Sequence, residues 1–340
     1  MNPLMLEEAL AAAAAVERQL AADGPRLQAL GEHLRRSAPT RALTVARGSS
    51  DHAAGYLAYL VMARLGCLVA SLPMSLVTLH RAPLVARDTL VMAVSQSGQS
   101  PDVVDPVRYF REGGATTVAL VNDAASPLGQ AAEWTLPLHA GREVSVAATK
   151  SYITSLVAAA RLVAHWQDDA ELHAALARIP DQLRAAAEMD WSAALPVLRD
   201  APHCMVVSRG VGFPLALEAA LKLKETCALQ AEAMSGAEIR HGPLALVDEG
   251  YPVLVLATRG PARAGLLALA SDLRLRGARV LLAAPAGTPG RDLPLPTASL
   301  PDLDPIVAAL TVYRFAAQLS LARGLDPDHP RHLSKVTRTT

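Results

Sequence analysis

Three side chains on one stretch of sequence have the types and spacing that proton transfer needs. Glu218, Lys222 and Glu225 are four and three positions apart, which on a helix puts them on one face. Their neighbours Leu215, Ala216, Leu217, Ala219, Ala220 and Leu221 are apolar, so that helix is expected to be half buried. Carboxylates and an ammonium taken out of water have shifted acidities and are candidates for acid–base work. The same spacing on an exposed helix would give ordinary ion pairs. His241, in Glu238-Ile-Arg-His-Gly-Pro243, and Lys335, in Pro330-Arg-His-Leu-Ser-Lys335, are two further candidates. Taken alone, a loop histidine reads as solvated and a tail lysine as exposed.

A second set of residues suits anion binding. Ser95-Gln96-Ser97-Gly98-Gln99-Ser100 follows the apolar run Thr89–Val94. Arg47-Gly48-Ser49-Ser50-Asp51-His52 follows Ala42–Ala46, and Val146-Ala147-Ala148-Thr149-Lys150 opens a helical stretch. Small hydroxyl residues and glycine at a strand-to-helix turn let N–H and O–H groups converge on an anion. The plainer reading is three capped turns, with Ser50 and Thr149 as cap residues. Other chemistries lack their motifs: there is no GxxxxGK[ST] loop and no HExxH, and Gly210-Val-Gly212 supplies only the start of a dinucleotide fingerprint. Cys67, Cys204 and Cys227 form no CxxC pair, so neither a thiolate metal site nor a disulfide framework is expected.

The elements that carry these residues repeat along the chain. Ala42–Ala46 pairs with Cys204–Ser208, Thr89–Val94 with Tyr251–Ala257, and Gly114–Leu120 with Gly277–Leu282, all offset by roughly 162 positions. Each half alternates short, continuously apolar runs with helical patterns, which predicts parallel strands buried on both faces and covered by helices. Strands are expected near 42–47, 67–71, 89–94, 115–121 and 134–138, then 203–208, 252–257, 278–283 and 297–300. Helices are expected near 5–22, 26–36, 50–65, 104–112, 150–166, 214–228, 262–275 and 304–323. The organisation this gives is N-terminal helices over 1–36, a first α/β domain over 37–166, a helical connector over 167–199, a second α/β domain over 200–323, and a tail over 324–340.

Composition narrows the partners. The 340 residues carry 32 basic and 32 acidic side chains, for no formal net charge. Electrostatic capture of nucleic acid or an acidic membrane surface is therefore not expected. The apolar runs Ala9–Val16 and Val253–Ala257 are far shorter than the ~20 residues of a membrane span. The N-terminus carries Glu7 and Glu8 and no basic start, unlike a signal peptide. A cytoplasmic location is expected.

Five motifs together carry a resemblance. Ser-Gln-Ser-Gly (95–98), Val-Ala-Ala-Thr-Lys (146–150), Ala-Leu-Glu-Ala-Ala-Leu-Lys-Leu-Lys-Glu (216–225), His-Gly-Pro-Leu-Ala (241–245) and Pro-Arg-His-Leu-Ser-Lys (330–335) stand in one collinear order. The chain resembles the isomerase half of glucosamine-6-phosphate synthases, a tandem of two sugar isomerase (SIS) domains, and the SIS-type glucosamine-6-phosphate deaminases. The resemblance implies two flavodoxin-like α/β domains and a homodimer. It implies that Ser50, Ser95, Gln96, Ser97 and Ser100 hold the sugar phosphate and nearby hydroxyls. Val146 and Ala148 would touch the sugar with backbone groups. Glu225 would move a proton between C1 and C2, with Lys222 assisting. His241, supplied by the partner subunit, would open the ring, and Lys335 would form or support an imine. Gly48, Ser49, Glu218 and Arg331 would support the site. No metal and no cofactor is implied, and with Asn2 after Met1 no glutaminase half is expected. The implied reaction converts glucosamine 6-phosphate and water to fructose 6-phosphate and ammonia. Ammonia-dependent synthesis, deglycation of another phosphosugar amine, and a non-catalytic sugar-phosphate sensor are the alternatives. Gln99 and Ser100 stand where many members have Glu-Thr, and Ala148 stands where the usual residue is Ser.

Overall fold

The computed structural model describes residues 2–335. Ten strands form two parallel five-stranded sheets. The first contains β1 (Arg41–Val45), β2 (Leu68–Ser71), β3 (Leu90–Ser95), β4 (Thr116–Val121) and β5 (Trp134–Pro137). The second contains β6 (His203–Ser208), β7 (Gln230–Ser235), β8 (Pro252–Leu256), β9 (Arg279–Ala284) and β10 (Leu293–Pro294). Their orders are β2-β1-β3-β4-β5 and β7-β6-β8-β9-β10, so each sheet is doubly wound with its switch point between the first and third strands. The expected α/β architecture, two flavodoxin-like parallel sheets covered by helices, is what the chain forms. Corresponding strands start 162, 162, 162, 163 and 159 positions apart. Eight helices position the residues of interest: α1 (Leu4–Leu10), α2 (Gly24–Ser37), α3 (Ser49–Leu65), α4 (Pro101–Glu112), α5 (Lys150–Gln167), α6 (Phe213–Cys227), α7 (Arg263–Leu275) and α8 (Asp304–Ala322).

The chain divides into two compact units. One comprises, among the described residues, 14–143, 150–177 and 334–335, and holds the first sheet. Its core includes Val91, Ala93, Val107, Phe110 and Ala119. The other comprises residues 1–13, 144–149 and 178–333, and holds the second. Its core includes Met205, Val207, Val253, Val255 and Leu266. Every residue of β3 and β8 is buried, as continuous apolar runs in a parallel sheet require. At roughly 1.5–3 kcal/mol per fully buried Val, Leu or Phe side chain, these strands and their covering helices are the main source of stability.

Several expected elements differ. The helix expected over 5–22 is two helices, Leu4–Leu10 and Ala12–Ala21. The strand expected at 297–300 does not form. The chain pairs earlier, at Leu293–Pro294 with Ala283–Ala284, because prolines cannot donate to a longer ladder. β7 was not expected: Gln230-Ala-Glu-Ala-Met-Ser alternates polar and small residues on a sheet edge, leaving Gln230 and Glu232 exposed. Ser50 is the second residue of α3 rather than its cap; Gly48, at φ +55°, holds that position. Among the described residues one stretch, Pro301–Ala322, is long and apolar enough by composition to cross a membrane, with a mean hydropathy of 1.3. It is 78% buried inside the protein, and its helix packs on α6.

Candidate active site

β1 and β3 are adjacent parallel strands, so the loops leaving their carboxyl ends flank the switch point, where open α/β sheets bind ligands. Ser95 ends β3 and Ser100 precedes α4, whose first residue is Pro101. The loop is built on its own hydroxyls. Ser95 Oγ accepts the Gly98 N–H at 3.0 Å, and Ser97 Oγ accepts the Gln99 N–H at 3.3 Å. Those two N–H groups are therefore taken within the turn. A hydroxyl that accepts from the backbone still has its proton to give, so Ser95 and Ser97 offer O–H donors to an anion. Gly98 sits at φ +63°, and a Cβ there would run into the Ser126 side chain. Beside this loop, Arg47 pairs with buried Asp102 at 2.9 Å. Burial pushes the nearby Asp51 carboxyl above its ordinary range, against the pull of His52 and Arg47.

The same unit contains a residue that sequence reasoning missed. The Glu143 side chain is fully buried and accepts from the Ser151 N–H at 3.1 Å and the Ser151 hydroxyl at 2.6 Å. Lys335 Nζ donates at 3.1 Å, across 192 positions of sequence, to Oε2, the same oxygen that takes the Ser151 hydroxyl. The tail lysine is thus held rather than solvated. An acidic residue three positions before the 146–150 motif was the available signal.

The second unit holds the acid–base group on α6. Lys222 lies between two carboxylates, 2.5 Å from Glu225 Oε2 and 3.5 Å from Glu218 Oε1. Glu218 is fully buried and accepts the Tyr313 hydroxyl at 3.0 Å. Glu225 alone in this group keeps an accessible side chain, at 22%. The buried cation is thus shared by an enclosed carboxylate and a reachable one, and Glu225 is the carboxylate of this group that a substrate can meet. His241 ends a short 3-10 turn before Gly242, which takes φ +134°, and it is exposed. It forms no hydrogen bond with the α6 group among the described residues. Arg331 is exposed as well.

The loop carrying half-buried Val146 and Ala148 is fixed by a residue from the other end of the sequence. Glu8 on α1 accepts the Val144 N–H at 2.6 Å and the Ser145 N–H at 3.1 Å. One turn earlier on that helix, the Leu4 and Met5 N–H groups donate to Asp328 of the tail at 2.7 and 2.6 Å. Neither carboxylate was singled out from sequence, since each contact spans more than 130 positions. Thiol chemistry finds no support: burial pushes Cys204 up to about 12 and Cys227 up to about 11, so both remain protonated at neutral pH. Among the described residues no cluster has metal-ligand geometry.

Comparisons with known proteins show the family and the fold. The SIS domain model matches residues 36–164 and 197–284. The glutamine–fructose-6-phosphate aminotransferase [isomerizing] of Leifsonia xyli subsp. xyli is 34% identical over 279 residues, which is 75% of this chain and 45% of that protein. The chain spans about half the length of the curated relatives it matches. A solved structure named "putative phosphosugar isomerase" from Silicibacter pomeroyi DSS-3 is 40% identical, with a TM-score of 0.91, covering 96% of this chain and 100% of that one. The C-terminal domain of a glucosamine-fructose-6-phosphate aminotransferase from Francisella tularensis shares the fold, with a TM-score of 0.87 at 23% identity over 97% and 99% of the two chains.

Proposed function

The chain belongs to the SIS domain family, and on that premise we propose that it is an aldose–ketose isomerase of amino-sugar phosphates that releases ammonia. The observation that carries this reading is Glu225, the one reachable carboxylate in a buried group locked by Lys222. Ser50, Ser95, Gln96, Ser97 and Ser100 bind the phosphate and adjacent hydroxyls through neutral donors, consistent with a chain of zero net charge. Backbone groups of Val146 and Ala148 hold the sugar.

In this reading His241, contributed by the partner in a homodimer, opens the ring of glucosamine 6-phosphate. Glu225 removes the C2 proton of the open aldehyde and returns it to C1. The carbonyl carbon becomes a hydroxymethyl group and the C2 amine becomes an imine. Water adds at C2, directly or after exchange onto Lys335, and ammonia leaves with fructose 6-phosphate remaining. Lys222 offsets the charge that builds near Glu225. One carboxylate serving as base and then acid contributes ~10²–10⁴-fold to such a transfer. The three buried thiols suit a reducing cytoplasm.

The test is ammonia release from glucosamine 6-phosphate with no glutamine present, run beside a panel of phosphorylated amino sugars and fructosamines. Release from glucosamine 6-phosphate supports the reading. Release only from another member of the panel, or net synthesis from fructose 6-phosphate and ammonium, assigns the same residues to one of the alternative substrates; Ala148 and Gln99 are where the motif departs toward them. No turnover and no binding anywhere in the panel removes it.

A further inference from the structure

The second sheet repeats the anion-binding turn of the first, and its turn is already filled. α4 and α7 begin 162 positions apart, at Pro101 and Arg263. The loop 95–100 therefore corresponds to 257–262, with Ser97 matched by Arg259 and Gly98, at φ +63°, matched by Gly260, at φ +113°. Ser50 is matched by Gly212, where a Cβ would lie only 2.6 Å from Ser208 Oγ and 2.8 Å from Thr258 Oγ1. The space beside that turn is taken up by the protein's own atoms.

What lies against the turn is a carboxylate. Asp304, the first residue of α8, has a fully buried side chain. Its Oδ2 accepts from the Arg259 N–H at 3.2 Å and from Arg259 Nε at 2.9 Å. Its Oδ1 accepts from Arg259 Nη2 at 2.6 Å and from the Ala298 N–H at 2.8 Å. The Asp304 bond raises the Arg259 guanidinium above its ordinary range. Two backbone N–H groups and a two-pronged guanidinium around one oxyanion are the contacts a bound phosphate or carboxylate receives. In the first half, by contrast, no carboxylate among the described residues accepts from Ser97.

We propose that the second half retains an oxyanion cradle and fills it with the chain's own Asp304 carboxylate, so that each tandem pair offers one external anion site instead of two. Removing the carboxylate leaves Arg259 and two N–H groups facing an empty turn, which a small free oxyanion of the acetate or phosphate class should enter. The proposal does not depend on which sugar the first half accepts.

The experiment is thermal unfolding of D304A in increasing sodium acetate, with sodium chloride at matched ionic strength as the control. Acetate is the probe because it replaces the lost group without serving as a sugar-phosphate mimic. In chloride, D304A is expected to melt several degrees below the parent, since the half-buried Arg259 and the Ala298 N–H have lost their shared acceptor. Acetate is expected to restore at least half of that loss in a saturable way. The R259M/D304L pair, with neither charge, and the parent protein are expected to respond equally to acetate and chloride. Should D304A not accumulate folded, its refolding yield from urea with and without acetate reads the same effect. Equal responses of D304A to the two salts, or an acetate response shared by R259M/D304L, would overturn the proposal.

Discussion

Lys335 Nζ lies 3.1 Å from Glu143 Oε2, a carboxylate with no exposed surface. The contact ties Lys335 to a buried anchor. If Lys335 forms an imine with the substrate, borohydride added during turnover should trap a covalent adduct on this residue, read by peptide mass spectrometry. K335R should leave no adduct at all. An adduct of equal yield in that variant would remove the role.

Glu225→Gln should bind substrate with an affinity close to the parent's and lose turnover by roughly 10²–10⁴-fold, because the amide cannot take up the C2 proton. Steady-state kinetics beside a direct binding measurement separates the two effects. Turnover near the parent's would take the base away from Glu225.

Lys222→Met leaves Glu218 buried without its cation, next to the Tyr313 hydroxyl. Removing one partner of a buried pair costs about 3–5 kcal/mol. The double change E218Q/K222M should recover much of that loss, and urea titrations of the two variants give the comparison. A double variant no more stable than K222M would place the cost elsewhere.

Gly98→Ala forces a Cβ toward Ser126 at a backbone angle of φ +63°. Strain of this kind, added to overpacking, typically costs about 1–3 kcal/mol. Because the loop carries Ser95 and Ser97, KM for the phosphosugar should rise more than kcat falls. An unchanged KM in a folded G98A protein would argue against phosphate binding at this turn.

His165 bears on pH stability. Burial, with His173, Arg161 and Arg35 nearby, lowers its pKa from the ordinary 6.5 to about 4. Between those values the unfolded chain binds the proton and the folded chain does not, so stability is complete above about 6.5 and declines on acidification toward 4. Melting temperatures measured from pH 7.5 to 4.5 should fall, and His165→Gln should flatten the slope. A slope identical in the variant would assign the acid sensitivity to other groups.

Much of the fold was legible in the sequence because a buried parallel strand announces itself. Runs such as Leu90–Val94 and Val253–Leu256 have no polar face to show, and their recurrence near 162 positions gave the repeat. The edge strand β7 escaped because one of its faces meets water and its pattern reads as a loop. The repeat alone could have supplied it, since β2 begins at Leu68 and β7 lies 162 positions on, at Gln230.

The site divides along the same physical line. Residue spacing on one helix is local, so the sequence by itself determined that Glu218, Lys222 and Glu225 share a face. It also determined that the serine turns follow buried strands. Only the tertiary structure decided that Lys222 is enclosed while Glu225 stays reachable, and that Lys335 is anchored. It alone set Glu8 on Val144 and Ser145, and Asp304 against Arg259. Those contacts join residues 45 to 192 positions apart. A hydrogen bond acts over about 3 Å, and separation along the chain carries no record of which distant groups the fold will bring that close.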